Sequence, residues 1–209
     1  MNRYFSTYWR NRRIVDFYKV QEYELVYITE DEKLDLVSKD PNFIEYIENP
    51  SEELQLSVVN QYGILIRHIK NPSEAVQLAA VNRDGNAIQY YDNPSEELQL
   101  IAVKQDGDAI QHIENPSEAV QLEAVKEDGN AIQHIKNPTE SVQLAAVQKN
   151  GAAIKHIENP SEELQLAAIQ KNPFVFEWIK NPIEVVKNIV RNSHPHYYYR
   201  VTKDRELRT

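Results

Sequence analysis

Cysteine is absent from the sequence, which removes disulfides, thiol catalysis and cysteine-ligated zinc together. Apolar residues never run for the ~18 or more positions of a membrane span, and Met1-Asn2-Arg3-Tyr4 opens no signal peptide. No membrane association is expected, and a reducing cytoplasm is the expected location. Glycine is scarce: there are five, each standing alone, so no glycine-rich loop can cradle a phosphate. Basic residues are outnumbered, 23 Lys and Arg against 32 Asp and Glu, for a formal charge of −9. That balance argues against general binding to a nucleic-acid backbone. The charge is also segregated. Residues 1–26 are net +2 and 181–209 net +3, whereas 27–180 are net −14.

Proline is placed with unusual regularity. Asn-Pro recurs at Asn49, Asn71, Asn93, Asn115, Asn137, Asn159 and Asn181, always 22 residues apart. With Asn as position 1, all five glycines (Gly63, Gly85, Gly107, Gly129 and Gly151) fall at position 15. A fixed period of this length marks a repeat architecture. A degenerate copy precedes the run at 27–48 and a broken one follows from 181.

Each unit reads as two short helices. Asn suits an N-cap, proline suits the first helical position, and Glu at position 4 (Glu52, Glu74, Glu96, Glu118, Glu140, Glu162) suits a capping box. The first helix is expected to run about 11 residues to glycine, read as a left-handed C-cap. A second helix of about six residues, such as 130–135, then ends at the next Asn-Pro, because the residue before proline disfavours helix. Positions 6, 8, 10 and 11 form the apolar arc of the first helix, and positions 17, 18 and 21 that of the second. Position 9 (Ser57, Ala79, Ile101, Glu123, Ala145, Ala167) lies outside the arc and is expected to be exposed.

Helices this short cannot bury their own stripes, so the units must stack. The predicted fold is an all-α solenoid of stacked helix pairs, seven units over 27–180, roughly 65–70 Å long at the usual helix spacing. Its handedness is open. Residues 1–26, with Tyr4, Phe5, Tyr8, Trp9, Phe17 and Tyr18, are expected to cap one end, and 181–209 the other.

The pattern from Val142 to Ile154 (Val-Gln-Leu-Ala-Ala-Val, then Gly151 and Ala153-Ile154) resembles a family of short α-helical repeats of unknown function. That family occurs in bacterial, phage and large-DNA-virus proteins. The resemblance covers roughly 27–190 and brings no catalytic residues. Its phage and viral distribution implies action in the cytoplasm of an infected bacterium, with inhibition of a host factor as one role.

Two ladders of polar residues follow from the period. Glutamine fills position 7 (Gln55, Gln77, Gln99, Gln121, Gln143, Gln165) inside the apolar arc, where its amide needs hydrogen bonds. Bonding between neighbouring repeats is the expected answer. Position 20 holds Tyr46, His68, Tyr90, His112, His134, His156 and Trp178, every one a planar ring with a polar atom. One reading is edge packing, ring against stripe and heteroatom toward water. The other is a recognition surface made by His68, Tyr90, His112, His134, His156 and Trp178, with acidic residues Glu97, Glu123 and Glu163 as further partner contacts.

Metal binding is not expected of the rings. Zinc holds two nitrogens about 3.3 Å apart, while stacked helices place side chains about 9–10 Å apart at their origins. His194-Pro195-His196 is read as part of a capping tail. Arg10, Arg12 and Arg13 beside Tyr8 and Trp9 are read as a snorkelling cap helix, stacking on single strands being the alternative. No nucleophile–base arrangement or cofactor motif is present, so a non-catalytic protein-binding scaffold without cofactor is expected. An acidic decoy imitating nucleic acid is the second reading, and capture of a nucleotide-like molecule by the rings the third. Oligomeric state is open.

Overall fold

The computed structural model describes residues 29–206. It comprises two compact units, one ending at Ala79 and the other beginning at Ala80. All regular structure among the described residues is helical. The first unit contains α1 (Glu30–Lys39), the 3-10 helix η1 (Pro41–Tyr46), α2 (Glu52–Gln61) and η2 (Gly63–His68). The dividing point falls within α3 (Glu74–Arg83). The second unit continues with η3 (Gly85–Tyr90), α4 (Glu96–Gln105), η4 (Gly107–His112), α5 (Glu118–Glu127), η5 (Gly129–His134) and α6 (Glu140–Lys149). It ends with η6 (Gly151–His156), α7 (Glu162–Lys171), η7 (Pro173–Trp178), α8 (Glu184–Ser193) and α9 (Pro195–Glu206). Within each unit, helix pairs pack on their sequence neighbours, α against α and η against η. The expected cap over 1–26 lies outside the described residues.

The helix starts differ from the sequence reading by two residues. The N-cap is the Ser or Thr at position 3, not Asn. The Ser117 hydroxyl accepts from Val120 N–H at 3.3 Å and Ser95 from Leu98 N–H at 3.3 Å. Asn instead makes the turn: Asn49, Asn71, Asn115, Asn137 and Asn159 have φ between 48° and 51°, left-handed backbone that asparagine tolerates better than most residues. A capping box is then impossible in these repeats, because the third helical residue is the apolar one at position 6. The glutamate at position 4 becomes the first helical residue, where its charge favours the helix dipole. It also accepts a hydrogen bond from the N-cap hydroxyl of the following repeat. Thr139 donates to Glu118 at 2.7 Å, and Ser73 donates to Glu52 in the first unit. Ser51 donates likewise to Glu30, holding that carboxyl below its ordinary pKa.

One residue joins the two helices of each pair. Asp106 N–H closes α4 on Ala102 O at 3.0 Å, and its carboxylate accepts from Asp108 N–H at 3.0 Å to open η4. The second helix is 3-10, and the sequence carries its period of three. In η5 and its flank, Gly129, Ile132 and Ile135 are buried, while Gln133 and Lys136 are exposed. Ala131 is buried and His134 half-buried one step around.

Glycine at position 15 is not a left-handed cap, since no described glycine has positive φ. Its role is close approach to the next repeat. A Cβ on Gly129 would sit 2.5 Å from Ala146 O, and one on Gly107 2.7 Å from Ala124 O. No ordinary Cβ tolerates such contacts.

Positions 6, 10, 11, 17 and 18 form the core, as Val120, Ala124, Val125, Ala131 and Ile132 show, each 2% exposed or less. Position 8, expected in the core, is only half-buried, as at Leu122 and Leu144. Position 9, expected to be exposed, is half-buried too, as at Ile101, Glu123 and Ala145. The cover of position 9 comes from the adjacent α-helices that flank each helix, which a single helical wheel does not contain.

Gly129→Ala is expected to destabilise the chain by about 1–3 kcal/mol through overpacking, and Asn130→Ala by clearly less, in urea titrations. Deleting 93–114 in register should leave a cooperatively folded shorter chain, whereas deleting 93–103 should strand one helix of a pair and lower the melting temperature much further. Circular dichroism melts of the two deletions decide this.

Candidate functional site

Position 20 is the last residue of each 3-10 helix, so helix geometry repeats its ring at every pair. Tyr90 and Trp178 are 38% and 42% exposed, and His112, His134 and His156 are half-buried. In the second unit, grooves open between two pairs of rings. One, of about 740 Å³, has His112 and His134 at its sides. Another, of about 310 Å³, lies between His156 and Trp178. Gln121 and Gln165 line the equivalent places in the two grooves, beside Pro116 and Pro160. The outer lips carry charges of both signs, Glu114 and Lys136 in the first, Glu158 and Lys180 in the second.

The glutamines are bonded, but not as a ladder between repeats. Gln121 Nε2 donates to Pro116 O at 2.9 Å, and Gln55, Gln77, Gln99 and Gln143 repeat that bond to their own prolines. The amide thus ties the helix to the turn that precedes it. At Gln165 it also reaches the next repeat, where Oε1 accepts from Ile183 N–H at 2.9 Å. Gln165 is correspondingly the most enclosed, 5% exposed.

The rings differ in their electrostatics. Burial draws the His156 pKa below its ordinary value, and the charges of Lys155 and His134 push in the same direction. His134 Nε2 lies 3.6 Å from Asp108 Oδ1 of the preceding repeat. The Lys155 ammonium sits 5.9 Å from the Trp178 ring centre. In the first unit, Arg67 Nε donates to His68 Nε2 at 2.8 Å. Position 21 has one substitution with a consequence: Tyr91 stands where the other repeats carry Ile, and burial pushes its phenol up to about 12.

Glu97 and Glu163 lie exposed in the first turns of α4 and α7, and Glu123 is half-buried on α5, 3.6 Å from Lys126. None of the three lines a groove, so rings and acids belong to different elements. The Arg10, Arg12 and Arg13 cluster lies outside the described residues.

Residues near the C-terminus do work the sequence did not announce. Arg205 donates to Phe176 O at 2.7 Å and Ile179 O at 2.8 Å, ending η7, and its guanidinium lies 4.9 Å from the Phe176 ring centre. Arg191 donates to Tyr198 Oη at 3.0 Å. His194 packs edge-on against Phe174, with ring centres 5.2 Å apart. Helix α9 continues through Tyr199 to Glu206. No period links these partners, so sequence spacing held no signal for them.

Among the described residues, no three His, Cys, Asp or Glu side chains gather as a metal site, and no helix is long and apolar enough to cross a membrane. Comparison with family models, curated proteins and solved structures returns no match.

The lowered pKa of His156 sets a direction for stability. The unfolded ring takes up a proton near pH 6.5, the folded ring only at lower pH. Its contribution is therefore full above about pH 6.5 and is lost as pH falls through the folded value. Replacing His156 by Asn should reduce the acid loss of stability, read as a smaller drop in urea midpoint between about pH 7.5 and 5.5.

Proposed function

We propose that the chain is a non-catalytic repeat protein of the α-solenoid kind, and that its ring-lined grooves seat a partner protein. The observation that carries this reading is the recurrence of one groove, with rings at both sides and a glutamine lining it, at two places in the second unit, between His112 and His134 and between His156 and Trp178. Aromatic and amphipathic side chains concentrated on one face give contact area at low entropic penalty. The resemblance to phage and viral repeats supports a place of action in a bacterial host's cytoplasm and inhibition of a host factor as the outcome.

A second reading has its own observation. The acids Glu96, Glu97, Glu118, Glu162 and Glu163 all lie in first turns of α-helices, so they recur along the helix starts. Such a row is the feature an acidic decoy for a nucleic-acid-binding protein would need. Against it, the glutamates of position 4 already serve the helix dipole and, at Glu96 and Glu118, the hydroxyl of the next repeat. The grooves themselves carry both signs of charge.

Two triple variants separate the readings on a partner captured from bacterial lysate. With His112, His134 and His156 changed to Ala, affinity should fall by at least about tenfold while the melting temperature moves little. With Glu97, Glu123 and Glu163 changed to Gln, affinity should hold. A decoy would give the reverse, with association slowing steeply as salt rises and DNA competing for the partner.

A further inference from the structure

We propose that the ring row of the second unit, with its two grooves, receives a partner segment in the polyproline II conformation, three residues to each repeat. This rests on the reading of that face as protein-binding and adds the shape and chemistry of what binds. The first argument is one of period. Polyproline II turns once every three residues and rises about 9.3 Å in doing so. Stacked helices lie about 8–10 Å apart, so each ring meets the segment one turn further on and sees the same edge of it. An extended β-strand repeats its face every ~6.7 Å and falls out of step. A helix, about 10–12 Å across, is too wide to enter successive grooves.

The second argument is chemical. Polyproline II has no internal hydrogen bonds, so all its carbonyls need donors, and its pyrrolidine rings pack on flat faces. The residues of position 20 supply both needs. Tyr90, His112, His134 and Trp178 each carry a ring and an N–H or O–H group, and none is fully buried; His156 adds its ring, its Nε2 being enclosed.

The third argument is charge. Position 22 follows the rings and is exposed throughout, as Asp92, Glu114, Lys136, Glu158 and Lys180. Among the described residues none of the five forms an ion pair. Their order of signs, two negative, then positive, negative, positive, is a pattern that a segment with one charged residue per turn can complement. A partner with basic residues opposite Asp92, Glu114 and Glu158, and acidic ones opposite Lys136 and Lys180, fits.

The probe is a synthetic peptide of five Pro-Pro-X turns with Lys, Lys, Glu, Lys and Glu at X, made in both chain directions. Its control has Gly-Ser in place of each Pro-Pro. Titrated into the full chain by calorimetry, the better proline peptide should bind about tenfold more tightly than its control, because its conformation is already formed. Adding a whole turn should strengthen binding, and adding one residue should not. His134→Ala should weaken binding several-fold, and Lys136→Glu, on the exposed lip, should do so without touching the fold. Equal binding of proline and control peptides, or no binding of either, overturns the proposal. Partner capture that survives the triple histidine variant would instead remove the underlying reading, so the two failures are distinct.

Discussion

In the second unit, glycine of one repeat rests against a backbone carbonyl of the next, at a distance that admits no side chain. The rest of the unit depends on that approach. The carbonyl belongs to position 10, on the buried side of the following α-helix, so glycine sets how closely consecutive pairs stack. Close stacking lets residues as small as Ala102, Ala124 and Ala146 be fully buried. It also brings the N-cap hydroxyl of one repeat to the glutamate of the one before, as between Thr139 and Glu118. Neither helix of a pair could be stable alone: ten residues of α-helix are marginal in water, and six of 3-10 helix exceed the usual length of that form. Their stability comes from neighbours.

The architecture was legible because each of its devices recurs at fixed spacing. Asn-Pro and glycine define the unit, and apolar positions 6, 10, 11, 17 and 18 mark what is buried. What failed were choices between local alternatives that share a residue pattern. Asn and Ser are both good N-caps two residues apart, and only the turn geometry, with Asn at positive φ, gives the role to Ser. Glutamate three residues after an N-cap suggests a capping box, but the true third residue is Val120 or its equivalent. Glycine before a new helix suggests a left-handed cap, whereas here its missing Cβ matters and its φ does not.

A missed signal was present in the second helix. Burial of Gly129, Ile132 and Ile135 with exposure of Gln133 and Lys136 repeats every three residues, the period of a 3-10 helix. Reading that stretch as α-helical placed Ile135 inside the helix, where it is the residue that closes it. The partial cover of Glu123 could not be read from one helix, because adjacent helices impose it. Arg205 is less legible still, since its acceptors lie 26 to 29 residues back and outside any repeat.

The same geometry that stacks the repeats also separates their chemistry. Position 20 ends the 3-10 helix and positions 4 and 5 begin the α-helix, so rings and acids recur in step yet on different elements. An acid at the start of an α-helix is favoured there whether or not a partner exists, which leaves the acidity explained by the fold. A ring at the end of a 3-10 helix has no such requirement. The buried place beside it is position 21, held by Ile113 and Ile135. The ring is instead left partly exposed in repeat after repeat. The proposed contact with a partner rests on that choice, which packing alone does not demand.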